Sequence, residues 1–489
     1  MKLLELLAPL SVSAVRGSKE VEVEGVAVDS RRVRPGFVFV ALEGEKADGH
    51  RFVADAVGRG AAAVVSERAP DPKLAKETAR LTWVQTKDAR KAVGLMAAKV
   101  WHEPAKKMDL VGVTGTNGKT TTAYLLDGLL SRLAPPSAML GTVVARIADR
   151  EEPTHHTTPE APEIQEFLAQ AVAAGCRYGA LEVSSHGLAL SRLEGSEFEV
   201  AVFTNLSRDH LDFHHDMESY FEAKRLLFDR YLRPSGTAVI GIDDSYGQRL
   251  AAGVKSAIRT FGFSPSADLS LADVETSLSG TRVQFREGGA LQEIRSGLIG
   301  RYNALNLVGV YASARALGFA SDQILGTLPD VPGAPGRFEM VPVPREFGVV
   351  VDYAHTDDAL RKLLEAARPL TGGQLWVVFG CGGERDRTKR PLMGMVAARL
   401  ADRVVLTSDN PRGEDPEAIV REIQLGTKDH AEIIDVEVDR RRAIAFALDR
   451  AKPGDLVVIA GKGHEPYQIV GNRVLDFDDR QVVKEILGS

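Results

Sequence analysis

Cysteine is nearly missing from this chain. Two thiols, Cys176 and Cys381, stand in 489 residues. That excludes a disulfide framework, and no paired-cysteine zinc signature occurs. The usage fits a reducing compartment, the cytoplasm. An excess of positive charge is missing too. Lys and Arg number 61 against 67 Asp and Glu, a net charge of −6, which argues against general nucleic-acid binding through a dense basic face. No stretch approaches the roughly 20 apolar residues that span a bilayer, so no membrane insertion is expected. The leucine-rich start is interrupted by Glu5 and is too short for a secretory leader. It reads as a short helix with Leu3, Leu4 and Leu7 on one face. Low-complexity segments and internal repeats are absent as well.

What is present is ordinary globular material, 44% hydrophobic and 26% charged. At roughly 100–200 residues per domain, the length suggests about three domains. Boundaries are drawn at 1–103, 104–336 and 337–489. The first falls just before Pro104. The second ends the Pro/Gly-rich stretch Val331-Pro-Gly-Ala-Pro-Gly336. In the first segment, Phe37–Ala41 reads as a buried strand, and Val53–Val65 as helix, turn and strand. The second opens with the strand Leu110–Thr114, a glycine loop, and a helix carrying Leu126, Leu129, Leu130 and Leu133. The third alternates helical patterns with apolar strands at 349–351, 375–379, 403–407 and 456–460. This is the rhythm of a doubly wound parallel sheet. Polar sequence follows each of these strands, and ligands of parallel sheets lie outside the strands' carboxyl ends. Those four loops are expected to line one crevice.

The loop Thr114-Gly-Thr-Asn-Gly-Lys-Thr-Thr121 carries the clearest chemistry. Its glycines let backbone N–H groups approach phosphate oxygens, and the following helix turns its positive end to the anion. Lys119 would reach the terminal phosphates, and Thr120 would hold Mg²⁺. Val113 stands where the usual pattern has its first glycine, so this is a phosphate-loop variant. Glu182, at a strand end, suits magnesium, which prefers oxygen donors. His210 and His214 could share a helix face as in a zinc site, but a magnesium–phosphate role for one of them is preferred. His214 and His215 read otherwise as surface loop. Lys224 sits mid-helix, where a lysine is ordinarily solvated.

These motifs together resemble the Mur ligases, ATP-dependent amide ligases of peptidoglycan precursor synthesis. The resemblance is carried by Thr114–Thr121, Glu182-Val-Ser-Ser-His186, Asn205-Leu-Ser-Arg-Asp-His-Leu-Asp212 and Gly300-Arg-Tyr-Asn-Ala-Leu-Asn306. Asp29-Ser-Arg-Arg32, Val351-Asp-Tyr-Ala-His-Thr356, Gly380-Cys-Gly-Gly-Glu-Arg-Asp386 and Gly461-Lys-Gly-His-Glu465 narrow it to members that add the third residue of the stem peptide. It runs in order from about residue 20 to 480.

The resemblance implies an α/β fold of three domains: an N-terminal UDP-binding domain, a central P-loop ATPase domain and a C-terminal Rossmann-like domain for the amino acid. It implies ATP contacts at Gly115, Thr116, Asn117, Gly118, Lys119, Thr120, Thr121, Asn303, Arg337 and Asp352. Contacts to the UDP-muramoyl dipeptide are implied at Ser30, Lys46, Ala47, Thr157, Thr158, Ser184 and Arg192. It implies that Lys119, Glu182, His210 and Lys224 are catalytic. Thr120, Glu182, His210 and Lys224 would hold Mg²⁺, Lys224 as a carbamate (N6-carboxylysine).

Asp409-Asn-Pro-Arg412 resembles the signature of members that add meso-diaminopimelate, with Arg412 holding the distal carboxylate in a planar fork. Arg385, Asn410, Gly461 and Glu465 match the remaining amino-acid contacts. The implied reaction joins meso-diaminopimelate to the D-Glu γ-carboxylate of UDP-N-acetylmuramoyl-L-Ala-D-Glu through an acyl phosphate, in a cytoplasmic monomer that closes its domains on ATP. Leu190, Asp357 and the Ile240–Asp244 run depart from the family pattern. Rival readings are a ligase for L-lysine or another diamine, a folylpolyglutamate-type ligase, a P-loop phosphotransferase, and a nucleotide switch. Cys381 could be a nucleophile, but its glycine-rich neighbours at a strand end better suit a ligand-binding loop.

Overall fold

The computed structural model describes residues 1–44, 48–74, 81–154 and 156–488. Lys46 and Ala47 lie outside the described residues. The chain packs as two compact units, Met1–Gly262 with Gly309–Ile324, and Phe263–Val308 with Leu325–Ser489.

The first unit holds two sheets. The smaller contains β1 (Val12–Arg16), β2 (Gly25–Ala27), β3 (Phe37–Ala41), β4 (Ala63–Ser66) and β5 (Thr82–Thr86), in the order β1-β5-β4-β3-β2. The opening helix, Leu3–Leu7, buries Leu3, Leu6 and Leu7, while Leu4 is 46% exposed. This corrects the sequence reading. Spacings of three and four put Leu3, Leu6 and Leu7 on one face, and Leu4 is turned about 100° away.

The larger sheet is built on β6 (Asp109–Thr114), β7 (Ser137–Leu140), β8 (Ala145–Ile147), β9 (Arg150–Glu152), β10 (Tyr178–Glu182), β11 (Phe198–Phe203), β12 (Leu232–Gly241) and β13 (Ala257–Gly262). β6 and five further strands run parallel in the order β13-β12-β11-β6-β10-β7. With β6 at the centre, the loop that leaves Thr114 emerges between the ends of β10 and β11. Glu182 and Thr204 are thereby delivered to its two sides.

The second unit begins with an antiparallel meander, β14 (Leu269–Ser277), β15 (Gly280–Glu287) and β16 (Ala290–Ser296). Its main sheet comprises β17 (Glu339–Met340), β18 (Gly348–Asp352), β19 (Leu375–Phe379), β20 (Arg403–Leu406), β21 (Ile434–Val436) and β22 (Leu456–Ala460), in the order β17-β18-β22-β19-β20-β21. All but the edge strand β17 are parallel. Both faces are covered. Leu456, Val458 and Ala460 enter one core with Leu360, Leu364 and Met393, while Val457 and Ile459 enter another with Ile444, Ala447 and Val483. Such two-sided burial is why these strands read as unbroken apolar runs. The hairpin β23 (Tyr467–Val470) and β24 (Arg473–Asp476) follows.

Candidate active site

Thr114 ends β6, and the helix Lys119–Leu133 begins five residues later. Two glycines make the intervening turn possible, Gly115 at φ 148° and Gly118 at φ 87°. A side chain at Gly115 would place its Cβ 1.9 Å from Thr204 Oγ1. That hydroxyl donates to the Asn117 carbonyl at 2.6 Å. Asn205 holds the same peptide from both ends, Nδ2 donating to Asn117 O at 3.0 Å and Oδ1 accepting from Asn117 N at 3.1 Å. Thr116 Oγ1 accepts from Ser207 N and lies 3.2 Å from the Tyr220 hydroxyl. The loop is therefore fixed by side chains before any phosphate arrives. Lys119 Nζ curls onto the carbonyls of Gly115 and Thr116, at 2.9 and 2.8 Å.

Glu182 is buried at the end of β10. Its carboxylate accepts from Thr120 Oγ1 at 2.8 Å, Thr142 N at 2.7 Å and Thr142 Oγ1 at 3.0 Å. Three donors compensate its burial and aim it at the phosphate loop. Thr142 in turn meets Thr157 Oγ1 at 2.9 Å. Thr158 Oγ1 donates to the Glu182 carbonyl and accepts from Ser184 N. Arg192 donates to Thr158 O at 2.9 Å and pairs with Glu160 at 2.8 Å. Thr157, Thr158, Ser184 and Arg192 thus form one network beside Glu182. Ser30 stands elsewhere, buried in a turn capped by Asp29, where its hydroxyl bonds Asp55.

Lys224 corrects the expectation of a solvated lysine. It is 1% exposed, and its Nζ donates to Gly115 O at 2.7 Å while lying over the Tyr220 ring. Burial, then the Lys119 charge, holds its ammonium well below the usual lysine range. His214 is a second correction: it is buried against Phe213, His186 and Tyr220, and burial pushes its imidazole down to about 4. His215 is exposed, in keeping with the sequence reading. His210 precedes the short helix Leu211–His214 with φ 53°. Its ring meets His186 edge-on at 4.9 Å. Desolvation lowers it to about 4, opposed by Asp209 and reinforced by Lys119, His186 and Lys224, although 43% of the side chain stays open to solvent.

In the second unit, Asn303 Nδ2 donates to Ile299 O at 2.8 Å and its Oδ1 accepts from Asn306 at 3.0 Å. Asp352, at the end of β18, accepts from Phe338 N and Ala354 N at 2.6 and 2.7 Å. Burial raises its carboxyl, and the neighbouring Arg337 opposes the rise. The Arg337 guanidinium stacks over Tyr353 at 4.6 Å.

The four polar loops of the parallel sheet converge. Asn410 Nδ2 donates to Glu465 Oε2 at 2.9 Å. Gly461, at φ 112°, passes so close to Asp409 that a Cβ there would sit 3.0 Å from its carboxylate. Arg412 has φ 51° and donates from Nη1 to Gly383 O at 2.9 Å. Its own backbone is tied to β23, Arg412 N donating to Ile469 O and Gly471 N to Arg412 O. Arg385 lies exposed two residues beyond Gly383. Beneath them Arg390 is wholly buried and forks onto Glu414 at 2.9 Å on both nitrogens. Cys381 is buried with its Sγ 3.6 Å from Met393 Sδ, and burial pushes its thiol up to about 12. A thiol so protonated is not a nucleophile.

Comparison with known proteins identifies the family of the chain. Residues 22–101 match the Mur ligase family catalytic domain, 113–314 the Mur ligase middle domain, and 336–463 the Mur ligase glutamate ligase domain. A UDP-N-acetylmuramoyl-L-alanyl-D-glutamate--2,6-diaminopimelate ligase of Gloeobacter violaceus is 47% identical, over 100% of this chain and 98% of that protein. The chain belongs to the Mur ligase family. A ligase of the same name from Solibacter usitatus is 44% identical over 96% of this chain and 94% of its own. A solved structure of such a diaminopimelate ligase superposes with a TM-score of 0.71 at 35% identity, covering 100% and 99% of the two chains. MurF ligase from Thermotoga maritima, solved in complex with ADP, shares the fold at a TM-score of 0.63 and 22% identity, covering 96% and 98%. The three-domain Mur ligase architecture, with its P-loop and Rossmann-like domains, is therefore that of this chain.

Several residues of this candidate site escaped the sequence reading. Thr142, Thr204 and Tyr220 touch predicted residues through hydrogen bonds between distant segments, which leave no local pattern. Lys462 was passed over inside a motif whose glycine and glutamate were noted. Its burial is a product of tertiary packing. Among the described residues no group of three or more His, Cys, Asp or Glu side chains is gathered for a metal ion.

Proposed function

We propose that this Mur ligase uses ATP to join meso-diaminopimelate to the D-Glu γ-carboxylate of UDP-N-acetylmuramoyl-L-Ala-D-Glu, one step of peptidoglycan precursor synthesis. The pocket that gathers Arg412 with Asp409, Asn410 and Glu465 carries the reading. An amino acid with a carboxylate at each end needs a fork-shaped cation at the far end. Its second amino group needs an acceptor, and Glu465 supplies one. The 47% identical ligase of Gloeobacter violaceus supports the same substrate, and the ADP bound to the Thermotoga maritima relative supports the nucleotide.

The reaction runs in two displacements. A γ-carboxylate oxygen attacks the γ-phosphorus of ATP, the bridging P–O bond breaks, and ADP leaves. The amine nitrogen of diaminopimelate then attacks the acyl carbon and sheds a proton as the C–O bond to phosphate breaks. Such transfers need positioning and charge compensation rather than a protein nucleophile. Lys119 turns from its carbonyls to the phosphates, and the loop that Thr204 and Asn205 hold in place lines the same path. Thr158, Ser184 and Arg192 orient the dipeptide.

Magnesium, when bound, neutralises phosphate oxygens. The donor chemistry fits it: the Thr120 hydroxyl and the Glu182 carboxylate are hard oxygen ligands already paired, and magnesium asks for few protein groups. His210 and Lys224 complete the proposed set. Lys224 does so only as a carbamate, because an ammonium has no lone pair to offer. Its burial favours the neutral amine, whose lone pair adds to carbon dioxide with loss of a proton. We also read the enzyme as a cytoplasmic monomer. No described helix is long and apolar enough to cross a membrane.

The test supplies ATP, Mg²⁺ and the UDP-muramoyl dipeptide, with meso-diaminopimelate or L-lysine, and records phosphate release and product mass. Amine-dependent phosphate with a diaminopimelate adduct supports the reading. A lysine adduct alone removes the Arg412 argument, and phosphate release without a joined product reopens the phosphotransferase reading.

A further inference from the structure

Lys462 is the wholly buried cation of the amino-acid pocket. Its Nζ donates to Asn410 Oδ1 at 3.2 Å and lies 3.5 Å from Glu465 Oε2 and 3.7 Å from Asp409 Oδ1. Asp409 Oδ1 is buried with no hydrogen bond of its own, so this ammonium is the compensating charge at hand. Asn410 Oδ1 also accepts from Ile469 N at 2.9 Å. With two donors on its oxygen, the amide must turn Nδ2 toward Glu465, as it does at 2.9 Å.

We propose that Lys462 is a positioning residue that sets the preference of this site for an amino acid with two carboxylates. The inference rests on the diaminopimelate reading above. It follows from a count of charges. Taken with the amino-acid contacts proposed above, Lys462, Arg385 and Arg412 oppose Asp409 and Glu465, which leaves one positive charge. The neighbouring guanidiniums are already matched, Arg440 by Asp479, and Arg390 with Arg387 by Glu414 and Glu422. Diaminopimelate poised for attack has two carboxylates, one ammonium and one free amine, a net charge of one negative. Lysine poised for attack is neutral. Removing Lys462 makes the pocket neutral, so the loss falls on diaminopimelate far more than on lysine. The second effect is geometric, since Asn410 loses the donor that fixes its amide.

Lys462→Met is the first variant. The expected result is a KM for diaminopimelate raised at least tenfold, an ATP KM within about twofold of the parent, and a fall of at least tenfold in the kcat/KM ratio of diaminopimelate over lysine. Breaking a buried charge pair destabilises more than deleting both members, so Lys462→Met with Asp409→Asn is the second. That double variant restores one net positive charge, and its ratio should return to within about threefold of the parent even where the single variant does not fold. Asp409→Asn alone, with two net positive charges, should not lower the ratio. An unchanged ratio in Lys462→Met, or a double variant that loses the preference while keeping its ATP KM, overturns the inference. A parent enzyme that joins no diaminopimelate overturns instead the reading on which it rests.

Discussion

A lysine ammonium at 1% exposure, bonded to the phosphate-loop carbonyl of Gly115, is costly unless the charge serves a purpose or is absent. This burial is what the proposed carbamate at Lys224 rests on, since it favours the neutral amine over the ammonium. Arginine keeps a charge and a donor at this position but has no free amine to carbamylate. Lys224→Arg is expected to lower kcat by about a hundredfold or more, the scale of losing one preorganised electrostatic group, with ATP binding retained. Steady-state phosphate release beside nucleotide titration checks it. A variant with near-parental kcat would exclude the carbamate. Backbone strain also falls within the candidate sites. His210, Glu384 and Arg412 all hold positive φ without being glycine, a conformation that costs on the order of 1 kcal/mol or more and persists where the surroundings dictate it.

Among the elements, the strand–loop–helix of the phosphate site is the most exacting. Gly115→Ala would force a Cβ against Thr204 Oγ1 at a backbone angle that alanine avoids. The loop must shift, and nucleotide affinity should fall at least tenfold while the unfolding temperature changes little. Parallel binding and melting measurements separate the two. This element was legible in the sequence because its information is local: glycine spacing, Lys-Thr, and leucines at helical intervals within twenty residues. The parallel sheet of the second unit was legible for the same reason, each strand being a short apolar run closed by polar residues. What Glu182, Lys224 and His214 share is that their burial comes from elements far away in the chain. Local pattern assigned Lys224 and His214 to solvent for that reason. The meander β14–β16 went unread because its strands are half exposed and carry charges such as Arg282 and Glu275.

The loop–helix edge beneath Arg412 makes a further prediction about acid. Arg390, wholly buried, forks onto Glu414, and this guanidinium, followed by the Glu384 N–H, holds the Glu414 carboxyl at about 2 instead of its ordinary 4.5. A depressed carboxyl stabilises the fold fully above its unfolded value and gives that stability up as protons bind. Glu414→Gln should therefore cost about 1–3 kcal/mol at neutral pH, where it leaves a buried charge less well matched. The gap to the parent should hold down to about pH 4.5 and close progressively toward pH 2. Urea titrations across that range check the sign, and a gap that widens on acidification would contradict it.

At the scale of the whole molecule, a ligand that binds only the folded chain stabilises it by mass action, about 2.7 kcal/mol at a hundred times its Kd. The proposed sites use different residues for different ligands, Lys119 and the 115–121 loop for nucleotide, Arg412 and its neighbours for diaminopimelate. Thermal stabilisation should therefore dissociate. ADP with magnesium should raise the melting temperature of the parent and of Arg412→Ala, but not of Lys119→Ala. Diaminopimelate should raise that of the parent and of Lys119→Ala, but not of Arg412→Ala. Because the chain packs as two units, melting need not be a single two-state transition, and the comparison is made on the same transition with and without each ligand. If Arg412→Ala lost the nucleotide response as well, the arginine would be supporting the fold rather than reading a carboxylate. Its assignment to the amino acid would then have to be withdrawn, whatever its sequence neighbours suggest.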